Sequence, residues 1–211
     1  MYIFVLQEFK IKIRKDMSLR NSYTTSDYLE WDSMLSIVRK LYRDKEYRMS
    51  LLIGCGSFFG LRISDILSLT WDMLLSGDTF TVIEHKTGKR RAIRINPNFQ
   101  KHIADCYKAL NITDKSEKCF ISRKHTVYTT QRINKKLKEI RAKYGLKIEH
   151  FSTHSLRKTF GRKVVDAAGE NAEFALIKLS ELFNHSDVKT TRRYLGLRQQ
   201  ELLETYSLLT F

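Results

Sequence analysis

The hydrophobic pattern of this chain changes period at one place. In the stretch "DTFTVIEHKTGKRRAIRI", apolar side chains fall on alternate positions, Phe80 and Val82 before a Thr87-Gly88 break, Ile93 and Ile95 after it. Alternation turns one face of a strand inward. Two such runs around a short polar break with glycine read as an antiparallel hairpin, here with a basic tip.

On either side the spacing is helical. Leu35, Ile37, Val38 and Leu41 form an apolar stripe that predicts a first helix, entered from "TTSDYLEW" with Ser or Thr as its cap and running to about Tyr47. A second helix is expected through "RMSLLIGCGSFFG", stopped by Gly60, and a third through "ISDILSLTWDML". Beyond the hairpin, helices are predicted over 97–110, 129–144, 154–168, 173–184 and 187–195. The expected fold is mostly α with one small antiparallel β-sheet, an α+β domain over 24–211. An arm or linker remnant, 1–23, would precede it, and a tail, 198–211, would end it, helical from about 198 to 208.

Charge narrows the choice of partner. The net charge is +15, and residues 85–163 hold 22 Lys and Arg against 5 Asp and Glu, so the rest of the chain is close to neutral. A positive surface concentrated in this way attracts polyanions and releases counterions from a nucleic acid backbone. Acidic lipid is a poorer match, because no amphipathic stretch pairs a basic face with a large aromatic one. The start "MYIFVLQEFKIKIRK" lacks the order of a signal peptide, and no apolar run reaches the ~18 residues of a membrane span. A cytoplasmic location and no membrane partner are therefore expected. Cys55, Cys106 and Cys119 are odd in number and far apart, which predicts free buried thiols and no zinc pair.

Several familiar motifs fail. "GCGSFFG" follows no strand and has Phe59 where a dinucleotide fingerprint needs glycine, so its glycines point to helix packing. No GxxxxGK[ST] loop exists to cradle a nucleotide. His150 and His154 in "HFSTH" lack the glutamate of a zinc protease motif, and the scattered carboxylates do not suggest a two-metal nuclease.

What remains is a set of cationic and proton-moving side chains at element boundaries. Arg62 follows Gly60 in "GLRISD", Lys86 lies at the end of the first hairpin strand, and "HSLRKTF" places His154 one helical turn from Arg157. "NHSDVKTTRRYLG" adds His185 and, nine residues on, Tyr194. Singly, each is an ordinary surface, capping or packing residue.

As an ordered set they resemble the tyrosine recombinases, the phage-integrase-like family. That family shows an Arg in G-L-R-x-x-[ED], a Lys in a β-hairpin, an H-x-x-R helix, a second His and a later Tyr. Here these are Arg62 with Asp65, Lys86, His154 with Arg157, His185, and Tyr194. The resemblance covers residues 24–211, the family's catalytic domain. The chain departs from the pattern at Lys158, where a histidine is frequent, and at Phe183-Asn184, where the family commonly reads Leu-Gly. Residues 1–23 are too few for the family's separate core-binding domain. That suggests either a catalytic fragment or one of the short single-domain recombinases.

The resemblance implies site-specific cutting and rejoining of double-stranded DNA through a 3′-phosphotyrosine, by a homo-oligomer that forms a tetrameric synapse. The tail, with an apolar face of Leu202, Leu203, Tyr206 and Leu209, would pack on its own domain or dock on a neighbouring copy. The residue types suit the chemistry. Two guanidiniums bind the non-bridging oxygens of a phosphodiester in forked geometry without losing their protons. A phenol, with a reference pKa of ~10, needs a neighbour such as His154 to become a nucleophile. Lys86, or less favourably Lys89, would protonate the leaving 5′-oxygen, His185 would bond the phosphate, and Asp65 would orient Arg62. The covalent link conserves the phosphodiester's energy, so no cofactor, metal or ATP is called for. Two alternatives remain at this stage: a type IB topoisomerase, and a DNA-binding regulator that no longer cuts.

Overall fold

The computed structural model describes residues 27–197. The expected arm 1–23 and tail helix 198–211 lie outside these residues. Helix α1 spans Trp31–Arg43, α2 Tyr47–Phe59, α3 Ile63–Leu67 and α4 Trp71–Leu75. Strands β1 (Thr79–Ile83) and β2 (Arg90–Arg94) follow, then α5 (Pro97–Ala109), α6 (Thr130–Tyr144), α7 (Thr153–Ala168), α8 (Ala172–Phe183) and α9 (Val188–Leu195).

Helix α2 is the axis of the domain. It is apolar all round, as a helix surrounded by protein must be, and it packs against α1, α5 and α7. The glycines of "GCGSFFG" allow that approach. A Cβ on Gly54 would run into the Phe99 ring of α5, and one on Gly56 would stand 2.7 Å from Leu156 Cβ of α7. Packing, as expected, is their role. Gly60 ends the helix in the left-handed region at φ 58°, so the chain turns sharply toward Arg62.

The hairpin pairs Phe80 with Ile93 and Val82 with Arg91, and Phe80, Val82 and Ile93 are buried on its inner face. Lys86 sits beyond β1, in the loop that joins the strands.

Three local expectations are corrected. Helix α1 begins at Trp31 after Glu30, with no side-chain cap from Ser or Thr. Its start is set by an extended lead-in whose Leu29 bonds Thr159 of α7 twice, N–H to Oγ1 at 2.9 Å and Oγ1 to carbonyl at 3.0 Å. The helix also stops at Arg43, short of Tyr47. The expected third helix is two, because Leu69 and Trp71 are both fully buried and Cys119 N–H bonds the Leu69 carbonyl across the break, where Thr70 caps α4.

Two cores meet on α7. Leu156 belongs to the main cluster around α2, whereas Val165 joins Leu176, Leu179, Phe183 and Leu195 in a smaller one with α8 and α9. The first turns of α7 lie at the seam.

Candidate active site

A cleft of about 340 Å³ opens at this seam, and Arg62, Lys86, His154, Arg157, His185 and Tyr194 all line it. Six residues spread over more than 130 positions are thus brought together from five elements. A larger opening of about 910 Å³, lined by Lys45, Arg48, Arg123, Lys124, Arg132 and Lys136 among others, holds none of them.

Arg62 stands at the N-cap of α3 and Arg157 on α7, and both converge on one acceptor. Arg62 Nη2 donates to the Phe183 carbonyl at 2.9 Å and Arg157 Nη2 to the same oxygen at 3.2 Å. This carbonyl ends α8, where the helix dipole is negative and favours cations. The Arg157 guanidinium also lies 4.3 Å from the centroid of the Phe183 ring. Its Nη1 is buried with no hydrogen-bond partner among the described residues. Burial, partly offset by Tyr194, brings its pKa down to about 10.

His154 and Arg157 share a face of α7, as their spacing predicts. The helix start is pinned by Ser155 Oγ, which accepts the Ser152 N–H at 3.0 Å, and by Asn134 of α6, which accepts the Thr153 N–H at 3.0 Å. His154 is exposed, but the cleft walls remove part of its hydration. Burial, then the charges of Arg157 and Lys158, lower its pKa.

Phe183, His185 and Tyr194 form an aromatic triangle with edge-on contacts, their ring centroids 5.3 to 5.6 Å apart. His185 is oriented by Thr191, whose Oγ1 lies 2.9 Å from its Nδ1, and its pKa falls through burial and the charges of Arg157 and Arg62. Tyr194 is half-buried on α9. Burial pushes its phenol up to about 12 against the pull of Arg157 and Arg62, and its hydroxyl reaches loosely toward the His154 carbonyl at 3.4 Å.

The two departures at 183 and 184 acquire a purpose. Asn184 ends α8 in the left-handed region at φ 53°, the conformation glycine takes most easily, and its Oδ1 accepts from Lys89 Nζ at 3.0 Å. That bond ties the hairpin loop to the end of α8. Lys158, the third departure, places Nζ 5.4 Å from the centroid of the Tyr194 ring.

Asp65 does not take the place expected of it. Its Oδ1 accepts the His85 N–H at 2.9 Å and so anchors the loop of Lys86. The carboxylate on Arg62 belongs to Glu84, 2.8 Å away and 4% exposed. Sequence reasoning missed Glu84 because it occupies a strand-end position where glutamate is ordinarily solvated. The only available signal was that it precedes Lys86 by two residues.

The chain is similar to known proteins over most of its length. The phage integrase family model matches residues 28–201. A probable integrase/recombinase of Bacillus subtilis strain 168, YoeC, is 31% identical over 170 residues, covering 80% of this chain and 88% of that one. The tyrosine recombinase XerC of Brucella suis biovar 1 is 31% identical over 161 residues, 75% of this chain and 48% of its own length. The chain thus spans about half the length of that relative. Among solved structures, XerA recombinase superposes with a TM-score of 0.67 at 21% identity, covering 86% of this chain and 64% of the other. XerH bound to a palindromic difH substrate superposes with 0.62 at 21% identity, covering 91% and 58%. Fold, motif order and sequence agree, and the chain belongs to the phage integrase family.

Proposed function

We propose that this protein is a site-specific recombinase that cuts and rejoins double-stranded DNA through Tyr194. The observation that carries the reading is the convergence of two guanidiniums on one carbonyl beside a tyrosine, with an Arg157 nitrogen buried and unpartnered among the described residues. A buried donor without an acceptor costs about 1–3 kcal/mol, and a phosphate oxygen entering the cleft would remove that cost.

In this reading Arg62 and Arg157 hold the non-bridging oxygens of the scissile phosphate. Tyr194 Oη attacks phosphorus as its proton passes to His154, the P–O5′ bond breaks, and Lys86 Nζ gives the leaving oxygen its proton. A 3′-phosphotyrosine results, which a 5′-hydroxyl from another strand reopens. His185, held by Thr191, bonds the phosphate. Lys86 is preferred to Lys89 because it lines the cleft, whereas Lys89 is engaged with Asn184. The family's named relatives, integrases and Xer recombinases, support the same assignment. The basic residues of the larger opening are suited to the phosphate backbone beyond the cut.

Recombination joins two duplexes, so the active form is a homo-oligomer, a tetramer at the synapse. The exposed Phe174 and Ile177 on α8 offer the apolar face of a tail from a neighbouring copy a place to dock.

The test mixes the protein with nicked suicide duplexes drawn from the DNA flanking its gene and resolves covalent adducts on a denaturing gel. A labelled protein band is expected from the wild type and none from Tyr194→Phe, with DNA affinity within about twofold, since only a hydroxyl is removed. An undiminished adduct in Tyr194→Phe would remove the tyrosine from its role. DNA binding without an adduct from any duplex would favour a non-cutting regulator.

A further inference from the structure

We infer that Glu84 is a positioning residue for strand cutting, one that locks the phosphate-binding Arg62 and the loop of the proton donor Lys86 into a single rigid unit. The inference rests on the recombinase reading of the cleft.

Glu84 is the residue immediately after β1, and every polar part of it is used. Its Oε2 receives Arg62 Nη1 at 2.8 Å and Thr87 Oγ1 at 3.1 Å, and its Oε1 faces Arg91 Nη1 at 3.6 Å. Its backbone N–H donates to the Lys89 carbonyl at 3.0 Å, and its own carbonyl accepts the Gly88 N–H at 2.8 Å. One side chain therefore grips an arginine from the α2–α3 junction and the turn residue next to Lys86 with the same oxygen. Arg91 is held from behind, with Nη2 on the Phe59 carbonyl at 2.7 Å. With Phe183 on its other side, Arg62 is clamped at both terminal nitrogens.

A carboxylate at this place has two opposite effects on an anion site. It fixes the guanidinium, which favours catalysis. It also sets a negative charge beside an incoming phosphate, which opposes binding. Burial by itself would raise the pKa of Glu84. The bonds from Thr87 and Arg62 and the charges of Arg62 and Arg91 outweigh this and hold it below its ordinary value, so the carboxylate stays ionised at neutral pH. If charge were all that mattered, removing Glu84 would help the reaction. Positioning predicts harm, so the sign of the effect decides.

Single-turnover cleavage of a suicide duplex at saturating protein, with DNA affinity measured in parallel, provides the test. Glu84→Ala should slow cleavage at least tenfold while duplex affinity changes less than threefold, and the isosteric Glu84→Gln should lie between it and the wild type. In an Arg62→Ala background, adding Glu84→Ala should bring no further slowing, because the arginine it positions is gone. Cleavage by Glu84→Ala at or above the wild-type rate would overturn the inference, as would losses that multiply in the double variant. Should the wild type form no adduct, the recombinase reading fails separately. Titration with inorganic tungstate, a phosphate-like oxyanion, then judges the clamp alone: weaker binding by Glu84→Gln is expected, and tighter binding would sink it.

Discussion

Arg157→Met should make the DNA-free protein more stable while destroying its ability to cut. Arg157 is 5% exposed, and its guanidinium meets the Phe183 carbonyl and ring rather than a carboxylate. Burial holds its pKa at about 10, well below the ordinary arginine value. At about 1.4 kcal/mol per tenfold change in proton affinity, holding it charged costs the folded state on the order of 3 kcal/mol. The folded pKa is depressed, so the unfolded chain binds the proton more tightly between the two values. The penalty is therefore complete below about 10 and is relieved only as pH rises from there toward the ordinary arginine value. Methionine fills a similar volume without that charge. It forfeits a cation–π contact of about 0.5–2 kcal/mol and a hydrogen bond to a carbonyl that Arg62 still satisfies. The net expectation is a gain of about 1 kcal/mol, or roughly 2–4 °C in Tm for a chain of this size.

Urea denaturation at pH 7 measures the first half of this prediction, and adduct formation measures the second. Cleavage should fall by about 10²–10³ or more, as when a transition-state donor is removed. A variant that is destabilised by more than about 1 kcal/mol would show that the Phe183 contacts outweigh the burial of charge. One that is stabilised yet still cuts would show that the charge is not held for the phosphate.

Lys86→Ala should slow cleavage of an ordinary duplex by about 10²-fold or more. It should do far less to a duplex whose leaving oxygen is replaced by sulfur, which departs without a proton, and Lys89→Ala, which loses only the tie to Asn184, should slow the ordinary duplex by far less than Lys86→Ala does. Equal losses on both duplexes for Lys86→Ala would deny it the role of general acid. His154 and His185 both have lowered pKa values. Below their ordinary value of about 6.5 the unfolded chain takes protons that the folded one refuses. Folding stability should therefore fall as pH drops from about 6.5 toward their folded values, and the slope should diminish in His154→Gln. A flat stability profile between pH 7 and 5 would contradict it.

The residues that gather in the cleft were legible because their chemistry restricts their type and their neighbours restrict their spacing. His154 and Arg157 share a helix face whatever surrounds them. The hairpin was legible for a similar reason, since a period of two cannot be mistaken for 3.6 over two runs. Breaks and caps were not. The division between α3 and α4 depends on Cys119, fifty residues away, bonding the Leu69 carbonyl, and the start of α1 depends on Thr159 bonding Leu29. Local propensity carries no trace of either partner.

The supporting shell of the cleft was hidden for a deeper reason. Two of its parts act through backbone atoms rather than side chains: the Phe183 carbonyl that receives both arginines, and the His85 N–H that engages Asp65. No side-chain pattern can announce a backbone acceptor. Glu84 and Asp65 show the complementary ambiguity. Both are carboxylates close to Arg62 in the fold, and spacing alone favoured the one three residues away on α3. Yet a side chain three positions beyond the N-cap Arg62 points inward with the helix's buried face, as the complete burial of Asp65 shows, while a strand end can be brought alongside. Exchange of the two roles therefore has a distinct signature. Loss of Asp65 should free the Lys86 loop and impair leaving-group protonation, so that Asp65→Ala, which removes the acceptor of the His85 N–H, is rescued by the sulfur leaving group as Lys86→Ala is. Loss of Glu84 disturbs Arg62 as well, and the same sulfur substitution should restore it only in part.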